Sequence, residues 1–262
     1  MSKHTLSLIF PAYNEQENIR ETVEAARRAL PALVHTWEII LVNDGSRDDT
    51  GRICDELAAQ HPDVHVIHHP ANQGYGAALK SGVVATKYDL IFFSDSDGQF
   101  DLGELVRLLE WVDRYDIVAG YRAERSDPFY RLVNAWGWKI LVRLLLGLHI
   151  RDIDCAFKVF RREVFESIQI RSVGAMVNTE ILAQAMRLGM RIKEVKVSHF
   201  PRLYGRQTGA KLRVILKAFR ELFRLWRKLR TVSHSQQGLF HRSRLKETGI
   251  GHRHPRQSEN RS

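Results

Sequence analysis

What most constrains this chain is a regular alternation of short apolar runs with longer helical stretches. Thr5–Phe10, Trp37–Val42, Val64–His68 and Leu90–Phe93 read as strands, and Glu15–Leu30, Asp48 to about Gln60 and Ala77–Ala85 between them have helical composition. Short strands separated by helices of this length close into parallel βαβ units, with helices on both faces of one sheet. Further helices are expected over Leu102–Arg114, Arg131–Leu148 and Thr179–Leu188, and further strands over Asp116–Gly120, Phe157–Phe160 and Ile192–Ser198. The expected class is α/β, and 262 residues suffice for one domain plus appendages.

In such sheets ligands bind beyond the carboxyl ends of the strands. Three polar loops leave that edge: Pro11-Ala12-Tyr13-Asn14-Glu15 after the first strand, Asn43-Asp44-Gly45-Ser46 after the second, and Ser94-Asp95-Ser96-Asp97-Gly98-Gln99 after the fourth. Asp95 and Asp97 lie two residues apart, so continued strand geometry puts both carboxylates on one side, where they repel unless a cation sits there. Mg²⁺ or Mn²⁺ suits two such oxygen ligands and often shares its remaining positions with substrate phosphates. Alone, a D-x-D after a strand is weak evidence and reads first as a solvated acidic turn. Three coincident polar loops weigh toward a site. A glycine-bearing turn, Asn72-Gln73-Gly74-Tyr75-Gly76, leads into the helix at Ala77.

Charge is unevenly placed. Residues 202–262 hold 16 Lys/Arg against three acids, whereas residues 1–201 hold 24 against 27. A slightly acidic body with a strongly basic tail suggests an anionic partner, either nucleic acid or a membrane surface. Within that tail, residues 212–230 form a basic amphipathic helix. Leu212, Ile215, Phe219, Leu222, Phe223, Trp226 and Leu229 make one stripe, with Arg213, Lys217, Arg220, Arg224, Arg227 and Lys228 around it. Such a stripe either packs on its own domain or lies in an anionic bilayer interface. The helix over 131–148 carries the same two alternatives. Residues 231–262 have the composition of a disordered tail. Cys54 and Cys155 follow no metal or redox spacing and read as free thiols in a reducing compartment. No signal peptide or transmembrane stretch is expected.

These residues carry a resemblance. Pro11 through Glu15, Val42-Asn43-Asp44-Gly45-Ser46, Asn72-x-Gly74-x-Gly76-Ala77-Ala78-Leu79, Asp95-x-Asp97-x-Gln99, Gly120-x-Arg122, Asp152 through Phe157, and Pro201-Arg202-x-x-Gly205 through Lys211 occur in the order found in family 2 glycosyltransferases. The chain resembles the dolichol- or polyprenyl-phosphate sugar synthases of that family over about residues 5–215. The resemblance implies a GT-A fold, Rossmann-like, over residues 1–211. It implies that Pro11, Tyr13 and Glu15 hold the nucleoside of a nucleotide-sugar and that Asp44 meets its base or ribose. Asp95 would face the ribose or donor sugar, and Asp97 would ligate Mg²⁺ or Mn²⁺ on the diphosphate with Gln99 nearby. Arg122, Arg202 and Lys211 would face phosphates of donor or acceptor. Asp152 is the matched candidate for positioning or deprotonating the acceptor, against a plainer role capping a loop or pairing with Arg151. The expected reaction is inverting transfer of a sugar to a polyprenyl phosphate, by a cytoplasmic protein peripheral to the inner face of the cell membrane.

Three departures from the family pattern stand out. Asn43 replaces a carboxylate, Cys155-Ala156 replaces Ser-Gly, and Gln207-Thr208-Gly209-Ala210 precedes Lys211. Relatives often carry C-terminal membrane spans and this sequence has none, which leaves room for a membrane-protein partner. The nearest rival is the same fold acting on a polysaccharide or soluble acceptor, which demands a firm general base; only Asp152 or Asp154 is a candidate. A catalytically inert scaffold is disfavoured by the retained carboxylates. A nucleic-acid-binding role is disfavoured too, because no recognition motif interleaves the basic residues.

Overall fold

The computed structural model describes residues 3–122, 137, 140–202 and 212–231. Seven strands form one sheet: β1 (Thr5–Ala12), β2 (Thr36–Asn43), β3 (Val64–His68), β4 (Leu90–Phe93), β5 (Ile117–Arg122), β6 (Lys158–Arg161) and β7 (Ile192–Val197), in the order β3-β2-β1-β4-β6-β5-β7. β1 lies parallel to β2 and β4, β2 to β3, and β5 to β7. Among the described strands only β6 runs antiparallel, against both β4 and β5. The sheet is therefore mostly parallel, as the alternation predicts, and β3 and β4 occupy the expected residues.

The helices are α1 (Ile19–Leu33), α2 (Thr50–Gln60), α3 (Tyr75–Ala85), α4 (Leu105–Leu109), α5 (helical at 140–146), α6 (Arg162–Ser167), α7 (Val177–Arg187) and α8 (Leu212–Thr231). Strand residues alternate between two cores. Leu6, Leu8, Phe10, Ile39, Leu41 and Phe92 pack with residues of α1, α2 and α4 such as Val23, Leu57 and Leu108. Ile9, Ile40, Val42, Ile91 and Phe93 pack on the other face with Leu79 of α3, Leu182 of α7 and Leu222 of α8. Covering both faces explains why these strands read as unbroken apolar runs.

Four elements depart from expectation. α1 begins at Ile19 rather than Glu15, because residues 13–18 are held in loop contacts described below. Only Leu105–Leu109 of the helix expected over 102–114 is α-helical. Its continuation tightens into i→i+3 bonds such as Trp111 N–H to Leu108 O (3.1 Å) and Arg114 N–H to Trp111 O (3.0 Å). α6 was not foreseen. The stripe on α8 divides in two: Leu222, Leu225 and Leu229 are buried, while Phe219 and Phe223 remain 42% and 53% exposed beside the exposed Arg220, Arg224 and Arg227. Among the described residues no helix is long and apolar enough to cross a membrane. Lys211, the Gly205–Ala210 stretch, most of the helix expected over 131–148 and the tail beyond 231 lie outside the described residues.

Candidate active site

The register of β1 with β2 (Ala12 opposite Asn43) and with β4 (Ile9 opposite Phe93) brings the three polar loops to one sheet edge. They are tied together there. Asn14 takes a left-handed φ of 57°, its N–H donates to Ser46 Oγ (3.0 Å), and its Oδ1 accepts from Arg47 N–H (2.8 Å). Glu15 donates its N–H to Thr50 Oγ1 (2.8 Å). Ser96 Oγ–H donates to Pro11 O (2.8 Å), so the loop after β4 is anchored to the end of β1. Pro11 is buried and Tyr13 exposed.

Arg202 joins these loops from the far end of the chain. Its guanidinium donates to Glu15 Oε1 and lies 3.7 Å from Asp97 Oδ2. Gln99 has a different task from its neighbours. Its Nε2–H donates to Phe200 O (2.8 Å) and its carbonyl accepts from Phe200 N–H (2.8 Å), which holds the segment bearing Arg202 against the loop after β4.

Asp95 is the most perturbed carboxyl here. Burial first, and then the neighbouring Asp97 charge, push it up to about 7, against the lowering influence of Tyr75, Arg122 and Lys158. Tyr75 lies beside it. The Tyr75 hydroxyl is buried without a completed hydrogen bond, and burial together with the Asp95 charge holds it well above its ordinary value. Two carboxylates this close, one of them disfavoured as a charge, suit a cation. Among the described residues no group of three or more His, Cys, Asp or Glu is placed to hold a metal ion. An ion on Asp95 and Asp97 alone would take its other positions from phosphate oxygens and water, as Mg²⁺ often does. The donor set fits such an ion.

Asp152 pairs with Arg122 rather than Arg151. Arg122 Nε–H and a terminal N–H reach its two oxygens at 2.7 and 2.9 Å, and the Arg122 backbone N–H adds a third contact at 3.2 Å. Burial disfavours the Arg122 charge, but the Asp152 hydrogen bonds and charge outweigh it and raise the guanidinium's affinity for its proton. Arg151 instead stacks over the Tyr121 ring at 4.9 Å. Beneath this pair sits Lys158, fully buried on β6. Its ammonium donates to Ile153 O (3.0 Å) and to Cys155 O, fastening the 152–157 segment, and burial lowers its pKa.

Asp44 is buried, with both oxygens engaged. Oδ1 accepts from Gln73 N–H (2.9 Å) and meets His69 Nδ1 at 2.7 Å, and Oδ2 accepts from Gly74 N–H (2.8 Å). His69 Nε2 meets Ser81 Oγ at 2.9 Å. The loops pack closely enough to demand glycine. A Cβ on Gly45 (φ +66°) would lie 2.3 Å from Ala71 C, and one on Gly74 (φ +105°) would lie 2.4 Å from Val173 O. A cavity of about 520 Å³ along α3 adjoins these loops, lined by Gln73 and Gly76 of the glycine turn and by Ser81, the partner of His69.

The structure thus brings Glu15, Asp95, Asp97, Arg122, Asp152 and Arg202 to one edge, with Pro11, Tyr13 and Asp44 on flanking loops. Sequence reasoning missed Tyr75, Lys158 and His69. Only Lys158 carried a signal, as a lone charge inside an apolar strand.

Residues 7–169 match the family described as Glycosyl transferase family 2. The chain belongs to that family. Its sheet and loops have the GT-A arrangement. A polyprenol monophosphomannose synthase of Mycolicibacterium smegmatis is 35% identical over 79% of this chain and 82% of its own length. An undecaprenyl-phosphate mannosyltransferase of Micrococcus luteus is 32% identical over 75% of this chain and 84% of its own. In the glycosyltransferase AglD of Haloferax volcanii, 33% identical, the match covers only 37% of the relative. Among solved structures, the glucosyl-3-phosphoglycerate synthase of Mycobacterium tuberculosis with UDP aligns at a TM-score of 0.64 and 21% identity, over 85% of this chain and 80% of that one. The same enzyme with Mg²⁺ and UDP aligns at a TM-score of 0.61 and 23% identity, over 84% and 79%. These structures share the transferase's fold.

Proposed function

We propose that this glycosyltransferase moves a sugar from a nucleotide-sugar to a polyprenyl phosphate at the cytoplasmic face of the membrane. The observation that carries this is its likeness, over most of both chains, to proteins named polyprenol monophosphomannose synthase and undecaprenyl-phosphate mannosyltransferase. The edge geometry supports it, since two guanidinium groups converge beside a carboxylate pair.

In this reading the bond from the sugar's anomeric carbon to the diphosphate breaks, and a bond to an acceptor phosphate oxygen forms on the opposite face, inverting the centre. The nucleoside diphosphate leaves with the electron pair. A phosphate acceptor is already anionic at neutral pH, so the site needs cations more than a base. Mg²⁺ or Mn²⁺, when bound by Asp97 and Asp95, supplies charge for the departing diphosphate. Arg122 and Arg202 meet phosphates, with Lys211 as a third cation. Asp152, with both oxygens on one guanidinium, aims Arg122 rather than taking a proton. Pro11, Tyr13, Glu15 and Asp44 hold the nucleoside, and Gln99 keeps the Arg202 segment in place.

The polyprenyl chain is confined to a bilayer, and α8 offers a way to stay there. Its buried leucines fix it to the domain, which leaves Phe219 and Phe223 with Arg220, Arg224 and Arg227 for an anionic surface. The deciding experiment incubates the protein and Mn²⁺ with a panel of nucleotide-sugars and a short polyprenyl phosphate or the free polyprenol, read by mass spectrometry. Glycosyl phosphate forms with the phosphate alone. Equal transfer to the free alcohol would overturn the acceptor assignment. In co-sedimentation with anionic vesicles, Phe219→Ser with Phe223→Ser should release the protein, and wild type that stays in the supernatant at low salt would end the membrane assignment.

A further inference from the structure

Lys158 has a task that core packing does not explain. It opens β6, the antiparallel strand between β4 and β5, opposite Phe93 on one side and Ala119 on the other. Asp95 follows two residues after Phe93, and Arg122 three after Ala119. The side chain is fully buried, and burial disfavours its charge and lowers its pKa. Among the described residues it makes no ion pair, and its ammonium donates to Ile153 O (3.0 Å) and to Cys155 O. A methionine would fill much the same space without burying a charge. The segment it holds supplies a reason for the ammonium. Residues 152–156 form neither helix nor strand. Two side chains anchor them to the sheet: Arg122 of β5 grips both oxygens of Asp152, and Lys158 of β6 grips the carbonyls that follow. Beyond them the Gly120 N–H donates to Phe157 O (2.8 Å), an approach so close that a Cβ on Gly120 would lie 2.7 Å from that oxygen.

We propose that Lys158 is a positioning residue for the acceptor phosphate: by tying down Ile153 and Cys155 it holds Asp152 where Asp152 aims Arg122. This rests on the transfer reading above. Arg202 stands beside Asp97, at the carboxylate pair, and serves the donor diphosphate. Arg122 ends β5, with β6 between it and the strand that carries that pair, and serves the acceptor. An Asp152 displaced by about 1 Å turns the guanidinium off the phosphate, and misplacement on that scale costs up to about 10²-fold in rate. Lys158 is buried away from both substrates, so its loss acts through Arg122.

The test is a double-mutant cycle on transfer to a short polyprenyl phosphate at pH 8, with Mn²⁺ and the nucleotide-sugar found active in the panel above. Lys158→Met should lower kcat/KM for the acceptor about tenfold or more, while the KM of the nucleotide-sugar stays within about threefold of wild type. Arg122→Lys keeps a charge but breaks the paired grip on Asp152. In that background Lys158→Met should cost less than about twofold more, because nothing is left for it to aim. Lys158→Gln ends in an uncharged amide one atom shorter. It reaches one carbonyl rather than two and should lose about threefold. Losses that multiply in the double variant, donor and acceptor KM that move together, or no loss at all would mark a merely structural lysine. Each of these overturns the assignment and leaves the transfer reading standing. Where circular dichroism shows Lys158→Met unfolded, Lys158→Gln takes its place in the cycle under the same criteria. Unfolding of both variants would make Lys158 a residue of the fold and overturn the assignment too. Absence of transfer by wild type overturns the transfer reading itself, and this one with it.

Discussion

Asp44 and Asp95 end the two strands that flank β1, at the same sheet edge, and their surroundings differ sharply. Asp44 is enclosed by donors: two backbone N–H groups and a histidine nitrogen, all within 2.9 Å. Asp95 is enclosed by another carboxylate, the Tyr75 phenol and two cations that do not fully compensate, and it is pushed up to about 7. One carboxylate has both oxygens held by its own fold, and the other is disfavoured as a charge by burial and a like neighbour. That contrast separates a loop held by its own hydrogen bonds from a charge cluster under electrostatic tension.

The largest effect expected from breaking the second half is on turnover. Asp97→Asn removes the carboxylate that both repels Asp95 and, with it, offers oxygens to a divalent ion. Transfer should fall by roughly 10²–10³-fold, the scale on which single groups stabilising transition-state charge are felt. The folded far-ultraviolet spectrum should persist. Undiminished transfer by Asp97→Asn, or by wild type stripped of metal, would remove the ion from the account.

The two carboxylates should respond with opposite signs when neutralised. Asp44→Asn places an amide N–H group against the Gln73 or Gly74 N–H. It should destabilise the protein by about 2 kcal/mol in urea denaturation, the scale for hydrogen bonds to charged groups. Asp95→Asn should leave the metal-free protein as stable at pH 8, or more so, because the fold already disfavours that charge. Equal losses from the two changes would mean that Asp95 is satisfied after all.

How much of this was legible follows the same division. The strands, the edge and the carboxylate pair follow from local pattern, since unbroken apolar runs and a D-x-D are written in consecutive residues. The partners of those carboxylates lie far off in the chain: Arg202 is 187 residues from Glu15, and Arg122 is 30 from Asp152. Spacing says nothing about such contacts; only the resemblance brought Arg122, Asp152 and Arg202 forward. His69 and Tyr75 match no motif, and their roles come from tertiary packing of the glycine turn. α8 shows the reverse limit. Its periodicity was plain, but helical spacing could not tell Leu222, which is buried, from Phe223 beside it, which is not.

A smaller effect concerns pH. Because the folded Asp95 carboxyl titrates near 7 rather than at its ordinary 3.8, the folded state holds that proton more tightly than the unfolded chain. This group's contribution to the stability of metal-free protein therefore falls as pH rises from about 4 to 7, and is constant on either side. The difference in melting temperature between wild type and Asp95→Asn should follow that course. A bound ion needs the carboxylate free of its proton, so Mn²⁺ affinity should drop about tenfold per pH unit below 7. A flat Mn²⁺ affinity between pH 5.5 and 7.5 would show that Asp95 is ionised throughout.

The smallest effect tests a neutral neighbour of that cluster. The Tyr75 hydroxyl is buried with no completed hydrogen bond, yet it lies close enough to Asp95 to lower that group's affinity for its proton. Tyr75→Phe deletes an oxygen that contributes no full hydrogen bond, so stability should change by less than about 1 kcal/mol, in the direction of a gain. Loss of the hydroxyl dipole leaves Asp95 facing Asp97 with less compensation, so its titration should move up and the pH midpoint of Mn²⁺ binding should move up with it, by a fraction of a unit. At the other carboxylate, Ser81→Ala gives the matched change, since it strands a histidine nitrogen that is already satisfied and should cost stability without moving that midpoint. If Tyr75→Phe instead destabilised the protein as much as Ser81→Ala does, the phenol would be hydrogen-bonded in solution, and the Asp95 cluster would be as complete as the Asp44 loop.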